Sequence, residues 1–583
     1  MSTAASRPPS APADATTGRP AVTEGAPRAT PVQAPCTRDT SAERRLKGHA
    51  LLAALGAGLL GDLLLRGAPL GLNLLVWTVV ALAVAFALAR RQGRPVTVAA
   101  GLLAVLALLF AACVAWRDAR TLTGLALFGL ATAVCALARA LRDGSAWAFE
   151  RAETVAYVAG LWGVAWDVAT GARTLGGERA ALHEWSQART SVRAFAVAAR
   201  GVLVATPVLA VFGLLLSAAD GAFARLVARA LSVDLTAAAG HVAWTAAGAW
   251  AVAGYLAGAL FSDRLDGTPA ALSAVARGWR LRVGAAEVCV ALALVDALLL
   301  AFVVVQLGRL LDGHVVGGGS GFPYAEYARR GFFELVTVVA LALPLLVMAN
   351  AVVAGAPHTA SIRRAYRAAA GILVVLLGVL AVSAADRMRL YQMAYGLTEL
   401  RVYVSASLAW LAVMLVWAAA TLLRGRTAAF ALGGTLLGWL WIFGLHALDP
   451  AALVVRVNAA RAAVPSSAVP WSSPDDPALD VTYLASLGAD AVPGLVAHVL
   501  PQAMSTLEPE VRCAALGVLE AAIAHPMMWE PGGWRGWNLA RWRAARAARG
   551  IDRGASSAWC DRCAPLEGIA RPPAPGVPSL GGE

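Results

Sequence analysis

Apolar positions in this chain fall in long continuous runs. They occupy residues 50–65, 69–89, 97–116, 122–138, 200–217, 240–261, 286–307, 331–354, 368–384, 402–423 and 428–447. Most approach or exceed the roughly 20 residues that carry an α-helix across the hydrocarbon core. They are rich in Leu and Ala and lack the period-two alternation of a membrane barrel. The pattern predicts an all-α fold, a polytopic transmembrane helical bundle of about eleven spans. Another run, VAYVAGLWGVAWDVATG at 155–171, is apolar enough to be a twelfth. Its flanks are both rich in arginine: Arg139, Arg142 and Arg151 before it, and Arg173, Arg179, Arg189 and Arg193 after. A helix lying in the cytoplasmic interface suits both flanks, whereas a span there inverts every later loop.

Outside these runs the pattern changes. Residues 1–45, rich in Pro, Ala, Ser and Thr, read as a disordered tail before the transmembrane region at 46–447. Prolines 465, 470, 474 and 477 mark a linker at 448–478, followed by helical spacing in a small extramembrane domain at 479–550. That domain ends in the basic stretch GWRGWNLARWRAARAARG, which has Trp534, Trp537 and Trp542 in one arc and reads as touching the membrane surface. Residues 551–583 form a flexible tail with a CxxC.

Composition agrees with this class: 59% of the residues are hydrophobic and 15% charged, and the mean hydropathy is +0.64. The net charge of +13 sits in short arginine clusters between the apolar runs, so topology explains it and nucleic acid does not. Arg38, Arg44, Arg45 and Lys47 place the N-terminus in the cytoplasm. Eleven spans then leave the C-terminus outside, and the chain is expected in a bacterial inner membrane. The lipid bilayer is the expected partner, with a protein partner through the C-terminal domain; the oligomeric state is open.

Seven cysteines are too few and too scattered for a disulfide framework, and Cys113, Cys135 and Cys289 lie inside apolar runs as small hydrophobes. Cys560 and Cys563 suit a disulfide, a redox pair or half a metal site, of which a disulfide is the simplest outside the membrane. No metal site, cofactor signature or hydrolase motif is recognised, so an enzyme is the less favoured reading.

Candidate chemistry is confined to polar residues near or within spans. Glu326, Arg330 and Glu334 recur every four residues, a stripe entering the span at 331–354. It suits either an intrahelical ladder or a polar contact in a water-filled vestibule. A second stripe, Arg387, Tyr391, Tyr395, Glu399 and Tyr403, has the same spacing, interrupted by Gly396. By topology both stripes open on the same face, where acids, arginines and phenols suit a polar ligand. Asp296 is the deepest acid in a span, either polar glue between helices or an ion contact. Asp62 and Arg66 make a simple pair near a span end. Gly254 with Gly258, and Gly434 with Gly438, have the spacing that lets membrane helices approach closely.

The ordered set YAEYARRGFFEL, LYQMAYGLTELRVYV, DPAALVVRVNAARA, LDVTYLASLGADAVPGL and WRGWNLARWRAARA resembles bacterial membrane proteins grouped as domain of unknown function 4173, with the related group 4153. The resemblance covers roughly residues 45–550. It implies a multispanning inner-membrane protein and carries no activity, cofactor or catalytic residue. Three functional readings follow: transport or permeation of a small polar solute or ion, an envelope sensor, assembly or scaffold protein acting through the C-terminal domain, and a membrane enzyme on a lipid or envelope precursor.

Overall fold

The computed structural model describes residues 40–143, 154–171, 235–261, 284–311, 332–355, 359–463, 479–502, 517–519 and 533–549. Among the described residues, eleven helices make up the apolar part: α1 (Thr40–Leu65), α2 (Leu72–Arg91), α3 (Val98–Trp116), α4 (Arg120–Asp143), α5 (Thr154–Thr170), α6 (Leu235–Leu260), α7 (Ala285–Leu311), α8 (Phe332–Gly355), α9 (Ala360–Tyr395), α10 (Glu399–Thr421) and α11 (Thr427–Leu448). All but α5 are long and apolar enough to cross a membrane, ten in all among the described residues. These ten coincide with predicted runs; the predicted run at 200–217 lies outside the described residues.

The turns follow from local chemistry. Gly93, at a φ of 73°, ends the α2 turn, and Thr97 then accepts the Ala100 amide to start α3. Gly396, at a φ of 71°, separates α9 from α10, and Thr398 caps α10.

Two apolar clusters divide the bundle. One joins α1 to α6 and includes Phe110, Leu137 and Leu256; the other joins α7 to α10 around Leu292, Leu346, Leu373 and Leu377. Helix α11 belongs to both, giving Phe430 to the second cluster and Trp439 and Ile442 to the first.

Spans alternate between two ends. At the arginine-rich end, Arg94 donates to the carbonyls of Leu141, Arg142 and Leu260, tying the α2–α3 turn to the last turns of α4 and α6. At the opposite end, Asp62 of α1 and Arg66 just after it meet the start of α6 through His241 and the Ala237 carbonyl. Helix α4 therefore finishes at the arginine-rich end and α6 begins at the other.

Helix α5 is described over 17 residues. Its final turn lies on α6 at Gly254 and Gly258, where an added Cβ would meet the Asp167 carbonyl at 2.6 Å and the Asp167 side chain at 2.8 Å. The small-residue spacing read from the sequence thus serves a helix crossing.

After α11 come α12 (Pro450–Ala462), α13 (Val481–Ala485), α14 (Val492–Gly494, continuing as a π-helical turn over Leu495–Val499), a 3-10 turn at Gly533–Gly536 and α15 (Leu539–Arg549). They surround a third core containing Val454, Val455, Leu484, Leu495, Ala540 and Ala544. Residues 450–462 were expected to be linker, yet α12 is a helix in this core. Asp449 takes a left-handed φ of 54° and accepts the Ala452 amide, Pro450 fills the first turn, and α12 folds back at once. The result is a cap across the end of the bundle opposite the arginine-rich one.

Candidate functional site

The densest polar arrangement among the described residues lies where the cap meets the spans. Arg117 caps the C-terminal end of α3, and its side chain is 7% exposed. Its Nε donates to the His446 carbonyl at 2.9 Å; its Nη1 donates to Asp449 Oδ2 and, at 3.3 Å, to Asp490 Oδ1. The Asp118 amide donates to the other Asp490 oxygen at 2.8 Å, and the Asp118 carboxylate pairs with Arg541 of α15. Asn538 completes the seam: its Nδ2 donates to the carbonyls of Val114 and Arg117, both at 2.9 Å, while its Oδ1 accepts the Ala540 amide as the N-cap of α15.

Similar bonds tie the cap to the other connections at this end. Trp537 accepts the Leu72 amide at 2.9 Å, and Arg535 donates to the Leu63 carbonyl at 2.7 Å. Asn458 of α12 bonds both backbone groups of Leu397, and the Tyr483 hydroxyl accepts the Glu399 amide at 2.8 Å. The α1–α2, α3–α4, α9–α10 and α11–α12 connections are all engaged.

Burial first and the nearby Asp449 carboxylate second push the Asp490 carboxyl up to about 6, against the lowering effect of the Asp118 amide and Arg117. Burial also raises the Tyr483 phenol. The seam has Arg117 and Arg541 for Asp118, Asp449 and Asp490, with Glu399 in electrostatic reach of the last two. It is an acid-rich junction able to take up a proton.

The residues singled out from the sequence are dispersed. Glu326 and Arg330 lie outside the described residues, as do Cys560 and Cys563. Glu334 is exposed in the first turn of α8, where the helix dipole favours an acid. Asp296 is buried within α7, and its Oδ1 meets no hydrogen-bond partner among the described residues. Tyr391 and Tyr395 belong to α9, with rings 5.1 Å apart, and Arg401 of α10 lies 4.3 Å over the Tyr391 ring. Arg401 also donates to the Tyr395 and Gly396 carbonyls. The break at Gly396 sends Glu399 and Tyr403 onto α10. Glu399 Oε1 is buried without a hydrogen-bond partner among the described residues, and the Tyr403 hydroxyl is buried near Thr121. Sequence reading missed Arg117, Asp490 and Asn538. Its one available signal was an arginine at a span end with no local acid four residues away. As for metal, no group of three His, Cys, Asp or Glu side chains suited to one occurs among the described residues.

A family model described as Domain of unknown function (DUF4153) matches residues 104–498, which include Arg117, Glu399, Asp449 and Asp490 but not Asn538 or Arg541. This is the related group of the two named from the sequence. No curated protein and no solved structure matches the chain.

Proposed function

Because the chain belongs to the Domain of unknown function (DUF4153) family, whose description names no activity, we propose its function from the geometry: an envelope interaction or assembly protein that works through its capped end. One observation carries the reading. The cap is bonded through charged and amide side chains to three inter-span connections, so the bundle holds it in a fixed orientation. A domain held this way presents a constant surface to a partner and transmits any load on that surface to the spans. On the positive-inside rule, the arginine-rich end with Arg90, Arg91, Arg363, Arg364, Arg424 and Arg426 is cytoplasmic. The cap is then extracytoplasmic, in a bacterial inner membrane.

A second reading, permeation of a proton or small cation, is favoured by Asp296, a buried carboxylate with an unbonded oxygen among the described residues. Full-length protein in proteoliposomes and complementation of a deletion strain separate the two. The interaction reading expects no proton or cation flux, full complementation by Asp296→Asn and loss of complementation by Arg117→Ala. Flux that disappears with Asp296→Asn would replace it with the permeation reading. In intact cells, a membrane-impermeant thiol reagent should reach a cysteine placed at Asp480 and not one at Gly93; the reverse pattern inverts the assigned orientation.

A further inference from the structure

Residues 533–549 contain five arginines, three tryptophans and no acid. Helix α15 turns Ala540, Ala544 and Ala548 into the cap core, which leaves Trp542, Arg543, Arg546 and Arg549 on its exposed side. Trp534, Trp537 and Trp542 are 59%, 41% and 43% exposed. Arg546 lies 5.6 Å over the Trp542 ring, and neither Arg543, Arg546 nor Arg549 has an acidic partner among the described residues. The position of this surface is fixed. Arg535 and Trp537 bond the last turn of α1 and the first residue of α2, at the level where the spans end. Leading up to it, α1 exposes the apolar stripe Leu55, Leu59 and Leu63, and Leu63 is the residue whose carbonyl Arg535 takes. A lipid-facing flank therefore runs directly into a rim of indoles and guanidiniums.

We infer that the outer face of α15, together with the tryptophan turn before it, docks on anionic phospholipid headgroups of the leaflet on the cap's side. Indoles favour the headgroup layer, where an apolar ring and an N–H are both accommodated, and guanidiniums bind phosphate in a forked geometry. The inference goes beyond the proposed function and stands whether the cap serves interaction or permeation.

Hydrogen–deuterium exchange on the full-length protein tests it in nanodiscs of phosphatidylcholine alone and of phosphatidylcholine with phosphatidylglycerol. Amides of 539–549 should exchange roughly tenfold more slowly or better in the anionic discs, because juxtamembrane arginines are attracted to an anionic surface. Half-molar salt should remove the difference. The triple variant Arg543→Gln, Arg546→Gln, Arg549→Gln should lose it, and the corresponding lysine variant should keep most of it. Exchange across 481–499 reports whether each variant retains a folded cap, and the salt titration on the wild type holds regardless. Equal exchange in the two kinds of disc overturns the inference. So does equal protection from inorganic phosphate added to phosphatidylcholine discs, which would assign the face to a free anion.

Discussion

The seam between α1 and α6 and the seam between cap and bundle solve the same problem with opposite chemistry. In the first, Gly58 faces Gly248 and Ala249 so closely that an added Cβ would lie 2.5 Å from the Thr245 carbonyl. In the second, Arg117, Asp449, Asp490 and Asn538 join across groups largely withdrawn from water. Lipid tails are as apolar as the side chains they surround, so membrane helices gain little by hiding leucines and associate through close backbone approach. At the end of the bundle water competes, and directed bonds to a buried guanidinium fix the register of the two bodies. Van der Waals fit therefore holds the interior, and ion pairing holds the cap.

Breaking the charged seam should have the largest effect. Arg117→Ala leaves Asp490 and Asp449 facing each other without a cation, and about 3–5 kcal/mol of cap stability should be lost, read from exchange of α12 and α14 amides. If those amides are unchanged, the seam is not what holds the cap.

Acidity sharpens the contrast next. Asp490 is lifted to about 6 in the folded protein, above the roughly 3.9 of an unfolded aspartate, so between these values the folded state holds the extra proton. Its contribution therefore makes the cap more stable as pH falls from 7 through 6, levelling off below about 4, by up to roughly 3 kcal/mol. Asp490→Asn should flatten that slope, read from exchange of α12 and α14 amides across the pH range.

The converse variant is Gly58→Val, which should cost about 1–3 kcal/mol by forcing α1 and α6 apart, measured by steric trapping in bicelles, and leave cap exchange alone. Smallest of all, Glu334→Gln, on an exposed first turn, should change stability by less than about 0.5 kcal/mol. A larger loss would show that the Glu334 carboxylate is paired.

These two seams were unequally legible in the sequence. The spans were visible because a crossing helix must be continuously apolar for about 20 residues, a local requirement. Gly254 and Gly258 could be named because their spacing is local too, although nothing local told that α5 would use them. The cap seam was hidden: Arg117 and Asp490 are 373 positions apart, and Asp118 and Arg541 are 423 apart. Glu399 was singled out for a stripe with Tyr391 and Tyr395, but Gly396 breaks the helical spacing, and Glu399 sits beside the cap acids. The linker assigned to 448–478 overlooked how fast Asp449 and Pro450 restart a helix.

The long separation within the charged seam also has a consequence in time. A ribosome adds about 5–20 residues per second, so the 373 positions between Arg117 and Asp490 correspond to about 20–70 seconds of synthesis. During that interval α3 and α4 are already made, while the arginine between them has neither carboxylate to neutralise it. The nascent bundle must wait with that end hydrated, and it closes only when the segment bearing Asn538 and Arg541 has emerged. The charged seam is thereby closed late in synthesis, and a protein truncated before α15 would lack the Asn538 and Arg541 bonds that complete it.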